Sequence, residues 1–131
     1  MTALRVLIVE DDAMIGELLA EMLEEMGHVV CSVAVTQAEA VKAAARDKPD
    51  LMMVDVALGQ GSGIVAMDEI LRAGFVLHFF TSGNVAKVLA HRPDAAVLEK
   101  PFQEKQLKCA IERALETADA QRIAYSRKMH S

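Results

Sequence analysis

Aromatic residues are scarce in this sequence: they make up 4% of the 131 residues, and tryptophan is absent. Hydrophobic residues nevertheless make up 53% of the chain, so we expect a core of aliphatic and methionine side chains, with the methionines at helical spacing inside it. The two cysteines, Cys31 and Cys109, form no CxxC pair, which favours small buried hydrophobes over a redox role. The four histidines also lack metal-ligand spacing.

Long runs of one kind are missing as well. Basic residues form no cluster and the formal net charge is −5, which argues against direct nucleic-acid binding, because phosphates are neutralised by a basic face. No apolar run approaches the ~18 residues of a membrane span, and the first residues lack a signal-peptide pattern. We therefore expect a cytoplasmic protein. The length is that of one domain.

Strand-like and helix-like segments alternate along the chain. Continuous apolar runs predict five strands, at residues 5–9, 29–34, 51–54, 76–80 and 95–98. Apolar residues at helical spacing predict five helices, at residues 14–26, 36–46, 64–73, 85–91 and from about 103 to 118, the fourth being short. This order predicts an α/β fold with a doubly wound, five-stranded parallel sheet and helices on both faces. In such folds, sites lie beyond the carboxyl ends of the strands.

Charged and hydroxyl residues stand at those strand ends. Glu10 and Asp11 follow the first strand, Asp55 the third, Thr81 the fourth and Lys100 the fifth. Two like charges about 4 Å apart repel by about 4 kcal/mol at an effective dielectric near 20, and a hard divalent cation, usually Mg²⁺ where phosphate must be held, relieves that repulsion. The set suits a carboxylate nucleophile that accepts a phosphoryl group.

Taken singly, each of these residues also has an ordinary structural interpretation. Asp11 or Asp12 could cap the first helix, and we assign Asp12 mainly to that role. Asp55 alone would be a solvated acid at a strand end, Lys100 a loop cation, and Thr81 a turn residue. Only their joint occurrence favours a site.

Five segments together resemble the receiver domain of two-component response regulators, over residues 4 to about 118. The matching segments are Val-Leu-Ile-Val-Glu-Asp-Asp (6–12), Pro-Asp-Leu-Met-Met-Val-Asp (49–55), Gly63, Phe-Phe-Thr-Ser-Gly (79–83) and Glu-Lys-Pro-Phe (99–102). The resemblance implies a flavodoxin-like sheet with strand order 2-1-3-4-5. The Phe-Thr-Ser-Gly ending is also similar to a subgroup of stand-alone receivers.

The resemblance implies a role for each site residue. Asp55 matches the phosphoacceptor, Thr81 the hydroxyl residue that moves toward the phosphoryl group, and Lys100 the lysine that pairs with it. Asp11 matches the direct Mg²⁺ ligand and Glu10 a ligand that acts through water. The backbone carbonyl of Ala57 would complete the metal ligands, together with Asp55. The Lys100–Pro101 bond matches a cis peptide of the family.

The same resemblance implies the partners and the kind of activity. A sensor histidine kinase or histidine phosphotransferase would supply the phosphoryl group, and an unknown protein target would receive the signal. The resemblance leaves open whether the chain forms a homodimer. The chain would catalyse only its own phosphorylation and dephosphorylation, so we do not expect an enzyme in the usual sense. We expect the receiver domain at residues 1–120, residues 121–131 as a helix extension or tail, and no output domain.

Three positions depart from the common receiver pattern. Val97 stands three residues before the lysine, where receivers usually carry Tyr or Phe; 19 residues separate Thr81 from Lys100, a few less than usual; and Gly59 stands where many receivers carry Pro. Two other functions would account for parts of this pattern. An aspartate-nucleophile phosphatase needs a second Asp at position 57 as general acid, where this chain has Ala57. A degenerate receiver that serves as a dimerisation scaffold would not need a complete site.

Overall fold

Residues 3–130, which the computed structural model describes, form five strands and six helices. The strands are β1 (Arg5–Val9), β2 (Val29–Ala34), β3 (Leu51–Asp55), β4 (Leu77–Ser82) and β5 (Val97–Glu99). The helices are α1 (Ala13–Glu25), α2 (Gln37–Asp47), α3 (Gly63–Ala73), α4 (Val85–His91), α5 (Glu104–Glu116) and α6 (Ala118–His130). No helix in this part of the chain is long and apolar enough to cross a membrane.

The strands form one parallel sheet in the order β2-β1-β3-β4-β5. The predicted fold class and strand order are therefore confirmed. The register aligns Val9 with Val54 and Asp55 with Thr81, so the residues after β1 and β3 lie side by side at the carboxyl edge.

Each face of the sheet carries its own hydrophobic core, as expected for strands that are buried on both sides. Alternate strand residues such as Val6, Ile8 and Phe79 pack with α1 and α5. The residues between them, such as Leu7, Val54 and Phe80, pack with α2 and α3. Methionines fill part of both cores, and the buried ones are Met52, Met53 and Met67.

Short polar side chains set the starts of the helices. The Asp12 carboxylate accepts hydrogen bonds from the backbone N–H groups of Met14 and Ile15, so the capping role assigned to Asp12 is confirmed. Thr36 accepts from the N–H of Glu39 at the start of α2, and Ser62 accepts from the N–H of Ile64 at the start of α3. These caps satisfy N–H groups that have no partner inside the helix.

The structure corrects several details. The predicted fourth strand extends through Ser82, because pairing with β5 continues there, so Thr81 lies inside β4 rather than in a turn. The side chain of Met14 is 76% exposed and Cys109 is exposed, which contradicts the burial predicted for both. Helical spacing alone does not say how far around a helix the core extends.

A sixth helix follows α5, whereas the sequence predicts five helices. α5 ends at Glu116, and α6 follows from Ala118 without a buried residue among those described. α6 is anchored by Tyr125, whose ring centroid lies 5.6 Å from that of Phe75, and by Arg122, whose guanidinium lies 5.1 Å from the Phe75 centroid. The domain boundary near residue 120 stays a prediction. Met1, Thr2 and Ser131 lie outside the described residues.

Candidate functional site at the carboxyl edge of the sheet

Three strand ends bring the predicted acids and the lysine together. Glu10 follows β1, Asp55 ends β3, and Lys100 follows β5. The Lys100 Nζ lies 2.7 Å from Asp55 Oδ2 and 3.3 Å from Glu10 Oε1. Glu10 and Asp55 are 2% and 6% exposed, so both carboxylates meet the ammonium group largely out of water. Such shielded, charge-assisted hydrogen bonds are stronger than exposed ion pairs.

Asp11 completes an acidic cluster with these two residues. One carboxylate oxygen from each of Glu10, Asp11 and Asp55 lies within 4.8 Å of the others. Asp11 is exposed while the other two are buried, so the cluster opens to solvent on the Asp11 side. Three carboxylates facing one ammonium leave an excess of two negative charges.

Backbone N–H groups orient all three carboxylates. Asp55 Oδ1 accepts a hydrogen bond from the N–H of Ala57 at 3.1 Å, and Asp11 Oδ2 accepts from the N–H of Gly59 at 2.8 Å. Glu10 Oε2 accepts from the N–H of Asp12 at 3.2 Å. The acids are therefore fixed in direction before any ligand arrives.

The environment shifts the pKa of three of these groups. Burial raises the pKa of Glu10, and the charge of Asp55 adds to that effect. The hydrogen bond from Gly59 lowers the pKa of Asp11. Partial burial by itself would lower the pKa of Lys100, but the hydrogen bond and charge of Asp55 outweigh it, and the pKa of Lys100 is raised. Lys100 thus stays charged beside the acids at neutral pH.

The chemistry of these donors fits a hard divalent cation. Carboxylate oxygens are the ligands that Mg²⁺ takes in proteins, and their excess negative charge is what a divalent ion neutralises. Ala57, the predicted carbonyl ligand, is exposed and lies two residues past Asp55, to whose carboxylate its N–H is bound. Its assignment as a ligand stays a prediction.

Thr81 lies on the strand next to Asp55. It pairs with Asp55 in the β3–β4 register and is 2% exposed, so its backbone is fixed by strands on both sides. The Lys100–Pro101 peptide bond is cis, as the resemblance implied. All the predicted site residues therefore converge on one edge of the sheet.

Two features of the site escaped the sequence reasoning. In the sequence Gly59 stands out only as a departure from proline, yet its N–H donates to Asp11, a hydrogen bond that proline cannot make because it has no N–H. Gln37, on α2, hydrogen-bonds to the loop after Asp55. For Gly59 the signal was the missing proline itself. For Gln37 the sequence carries no signal, because its partner Ser62 is 25 residues away.

The amino-acid sequence matches one protein family and several proteins that contain its domain. The family model for the response regulator receiver domain matches residues 6–112. The chain is 37% identical to the phyllosphere-induced regulator PhyR of Methylorubrum extorquens over 117 residues, which cover 86% of this chain and 44% of PhyR. It is 38% identical to the transcriptional regulatory protein PdtaR of Mycobacterium tuberculosis over 115 residues, covering 85% of this chain and 56% of PdtaR. The chain thus spans about half the length of these curated relatives.

Solved structures agree with the sequence comparison. The response regulator REC domain of PhyR from Erythrobacter litoralis superposes with a TM-score of 0.80 at 31% identity, covering 88% of this chain and 92% of that domain. The anti-anti-sigma factor PhyR from Bartonella quintana superposes with a TM-score of 0.82 at 29% identity, covering 95% of this chain and 52% of that protein.

Proposed function

The chain belongs to the family of response regulator receiver domains, and on that premise we propose that it accepts a phosphoryl group on Asp55. The observation that carries the proposal is the contact of Asp55 Oδ2 with Lys100 Nζ at 2.7 Å, inside the cluster with Glu10 and Asp11. A buried carboxylate held by an ammonium group and flanked by two further acids is suited to phosphoryl transfer, where positioning and charge stabilisation supply most of the rate.

The proposed step is a transfer from a phosphohistidine. One Asp55 carboxylate oxygen attacks phosphorus, the P–N bond breaks, and its electron pair stays on the departing imidazole nitrogen, which then takes up a proton. Lys100 then pairs with one phosphoryl oxygen, and the Thr81 hydroxyl donates a hydrogen bond to a second phosphoryl oxygen. Mg²⁺, held by Glu10, Asp11, Asp55 and the Ala57 carbonyl, would neutralise charge on the phosphoryl oxygens.

An apolar groove beside the site supports a protein as the phosphoryl donor. The groove has a volume of about 460 Å³ and runs from Lys100 along α1; its apolar lining consists of Ile15, Leu18, Leu19, Met22, Pro101 and Phe102. Ile15 and Leu18, which are neighbours in this lining, are 39% and 58% exposed, and a contiguous exposed apolar patch marks a protein interaction site. We therefore propose that a helix of a histidine kinase or histidine phosphotransferase docks here, with its histidine facing Asp55.

We further propose that the signal leaves by protein contact and without an aromatic switch. Val97 is half-buried in β5 and presents little surface to hide or show. The α4 region, residues 83–95, is the better candidate for the moving part: its helix has seven residues, of which Val88 is buried, and a segment with so few buried apolar contacts has low local stability. The downstream target is proposed to be a protein, since the sequence has no basic cluster for nucleic acid.

Intact-mass spectrometry tests the proposed acceptor. After incubation with acetyl phosphate and Mg²⁺, the mass should rise by one phosphoryl unit, and Asp55→Asn should show no rise. Asp12→Asn is the matched control, because it neutralises a neighbouring acid while asparagine caps a helix as well as aspartate. A rise that persists in Asp55→Asn, or in the parent with a chelator present, would contradict the assignment.

A further inference from the structure

Gln37 joins three separate elements through its side chain. It is the first residue of α2 and is half-buried. Its Oε1 accepts a hydrogen bond from the N–H of Ser62 at 3.0 Å, and its Nε2 donates to Glu69 Oε1 on α3 at 2.9 Å. Its backbone N–H also donates to the carbonyl of Gln60 at 3.3 Å. One residue thus binds both the 56–62 loop, which connects β3 to α3, and the helix that follows it.

The loop also packs directly on this side chain. A Cβ placed on Gly61 would lie 2.4 Å from Gln37 Oε1 and 2.6 Å from Gln37 Cβ. Gly61 has a φ of 96°, in the left-handed region that glycine adopts without strain. The loop therefore passes Gln37 at a distance that only glycine permits, and its path is fixed by contact as well as by hydrogen bonds.

This loop carries the backbone groups that orient the acidic cluster. Ala57 donates to Asp55, and Gly59 donates to Asp11. At its base, the loop is closed by an isolated bridge between Ala57 and Ser62. Gln37 binds the same Ser62 from outside the loop, so the bridge and the Gln37 contact share one residue.

We propose that Gln37 is a positioning residue for phosphoryl acceptance: it holds the 56–62 loop so that Gly59 stays bound to Asp11 and Ala57 stays beside Asp55. Gln37 does not touch the reacting atoms and acts through the loop. The proposal rests on the proposed function, since the loop matters for phosphorylation only if Asp55 is the acceptor.

Exchanging the two partners tests this role without deleting a side chain. Gln37→Glu keeps an oxygen that can accept from Ser62 but places its own carboxylate opposite the carboxylate of Glu69. It does not weaken α2, because an acid in the first turn is favourable for the helix dipole. Glu69→Gln is the matched control, since its side-chain carbonyl can still accept from Gln37. The double variant restores the bond with donor and acceptor exchanged, as a double-mutant cycle requires.

Two readouts are needed: amide hydrogen exchange across residues 56–62 in the free protein, and the rate of labelling by acetyl phosphate with Mg²⁺. Gln37→Glu should speed exchange in the loop and slow labelling, each by about five- to tenfold, the range of one lost hydrogen bond. Glu69→Gln should change neither by more than about twofold, and the double variant should return to within about twofold of the parent. The urea midpoint of Gln37→Glu should fall by no more than about 1 M, which corresponds to that one hydrogen bond, and should recover in the double variant. A larger fall would show a general loss of stability and would overturn the positioning role.

The outcomes separate the two proposals. Labelling of Gln37→Glu at the parental rate, or a double variant that stays as slow as the single one, would overturn the positioning role. Unchanged exchange in the loop would overturn it as well, since the loop would then be held without Gln37. If the parent itself is not labelled on Asp55, the proposed function fails, and with it the role of Gln37 in phosphoryl acceptance. In that case the exchange data show only whether Gln37 holds the 56–62 loop in the free protein.

Discussion

Replacing Gly63 by alanine should destabilise the fold at the base of the site. A Cβ on Gly63 would lie 2.1 Å from the carbonyl oxygen of Asp55, 2.9 Å from its carbonyl carbon and 2.8 Å from Val54 Cγ1. Carbon–oxygen contacts this short do not occur, so the two backbone segments must separate by about 1 Å. Both atoms of the shortest contact are fixed to the main chain, and no rotamer change can relieve it.

The expected magnitude follows from this clash. Overpacking a well-packed interior costs about 1–3 kcal/mol, and a backbone clash belongs at the upper end. Alanine offsets part of the loss by restricting the unfolded chain, by about 0.4–1 kcal/mol. We therefore expect Gly63→Ala to lower the free energy of unfolding by about 2 kcal/mol. With a urea slope of about 1–3 kcal/mol per molar, the midpoint should fall by about 0.7–2 M.

Gly83→Ala is the matched control for the urea experiment. A Cβ on Gly83 would meet no described atom within 4 Å, so its midpoint should stay within about 0.3 M of the parent. Because the displaced atom belongs to Asp55, Gly63→Ala should also slow labelling by acetyl phosphate. Equal midpoints for the two variants would refute the close approach of α3 to the end of β3.

Three further measurements address stability, phosphoryl lifetime and signal output. Burial lowers the pKa of His78 below its ordinary 6.5, so the imidazole is neutral in the folded protein at neutral pH and its protonation favours unfolding. The free energy of unfolding should therefore fall as pH drops below about 6.5. His78→Leu should reduce this dependence of the unfolding free energy on pH. An unchanged dependence would contradict this. Ala57→Asn or Gly83→Glu adds a polar side chain that can orient the attacking water, and should shorten the phosphoryl lifetime several-fold; decay equal to the parent would refute that reasoning. Beryllofluoride should change amide exchange mainly across residues 82–95, and Thr81→Ala should abolish the change; a maximum in α1 or α3 would show that the signal leaves elsewhere.

The sequence predicts the sheet and the meeting of the acids because both follow from short-range patterns. Parallel strands appear in the sequence as continuous apolar runs, and their carboxyl ends share one edge of the sheet, so the sequence alone predicts that Glu10, Asp55 and Lys100 lie together. The predicted end of β4 falls two residues too early, because the polar residues Thr81 and Ser82 resemble a turn. Pairing with β5 keeps both of them extended, and Thr81 also pairs with β3.

Other features depend on contacts that no local pattern encodes. α6 has no buried residue among those described and depends on Tyr125 meeting Phe75, a pairing 50 residues apart that periodicity cannot reveal. Met14 lies on the same helix as the buried Leu19 and Leu23 but faces outward. The bond from Gln37 to Glu69 spans 32 residues and depends on α2 and α3 sharing one core on the same face of the sheet.

The most direct test of the central claim is to locate the phosphoryl group chemically. Borohydride reduces an aspartyl phosphate to homoserine, and peptide mass spectrometry then identifies the modified position. After treatment with acetyl phosphate and Mg²⁺, homoserine should appear at position 55 and at no other aspartate, and it should be absent when a chelator replaces Mg²⁺. Homoserine at Asp11 or Asp12, or a phosphoryl group recovered on a histidine with Asp55 unmodified, would contradict the account.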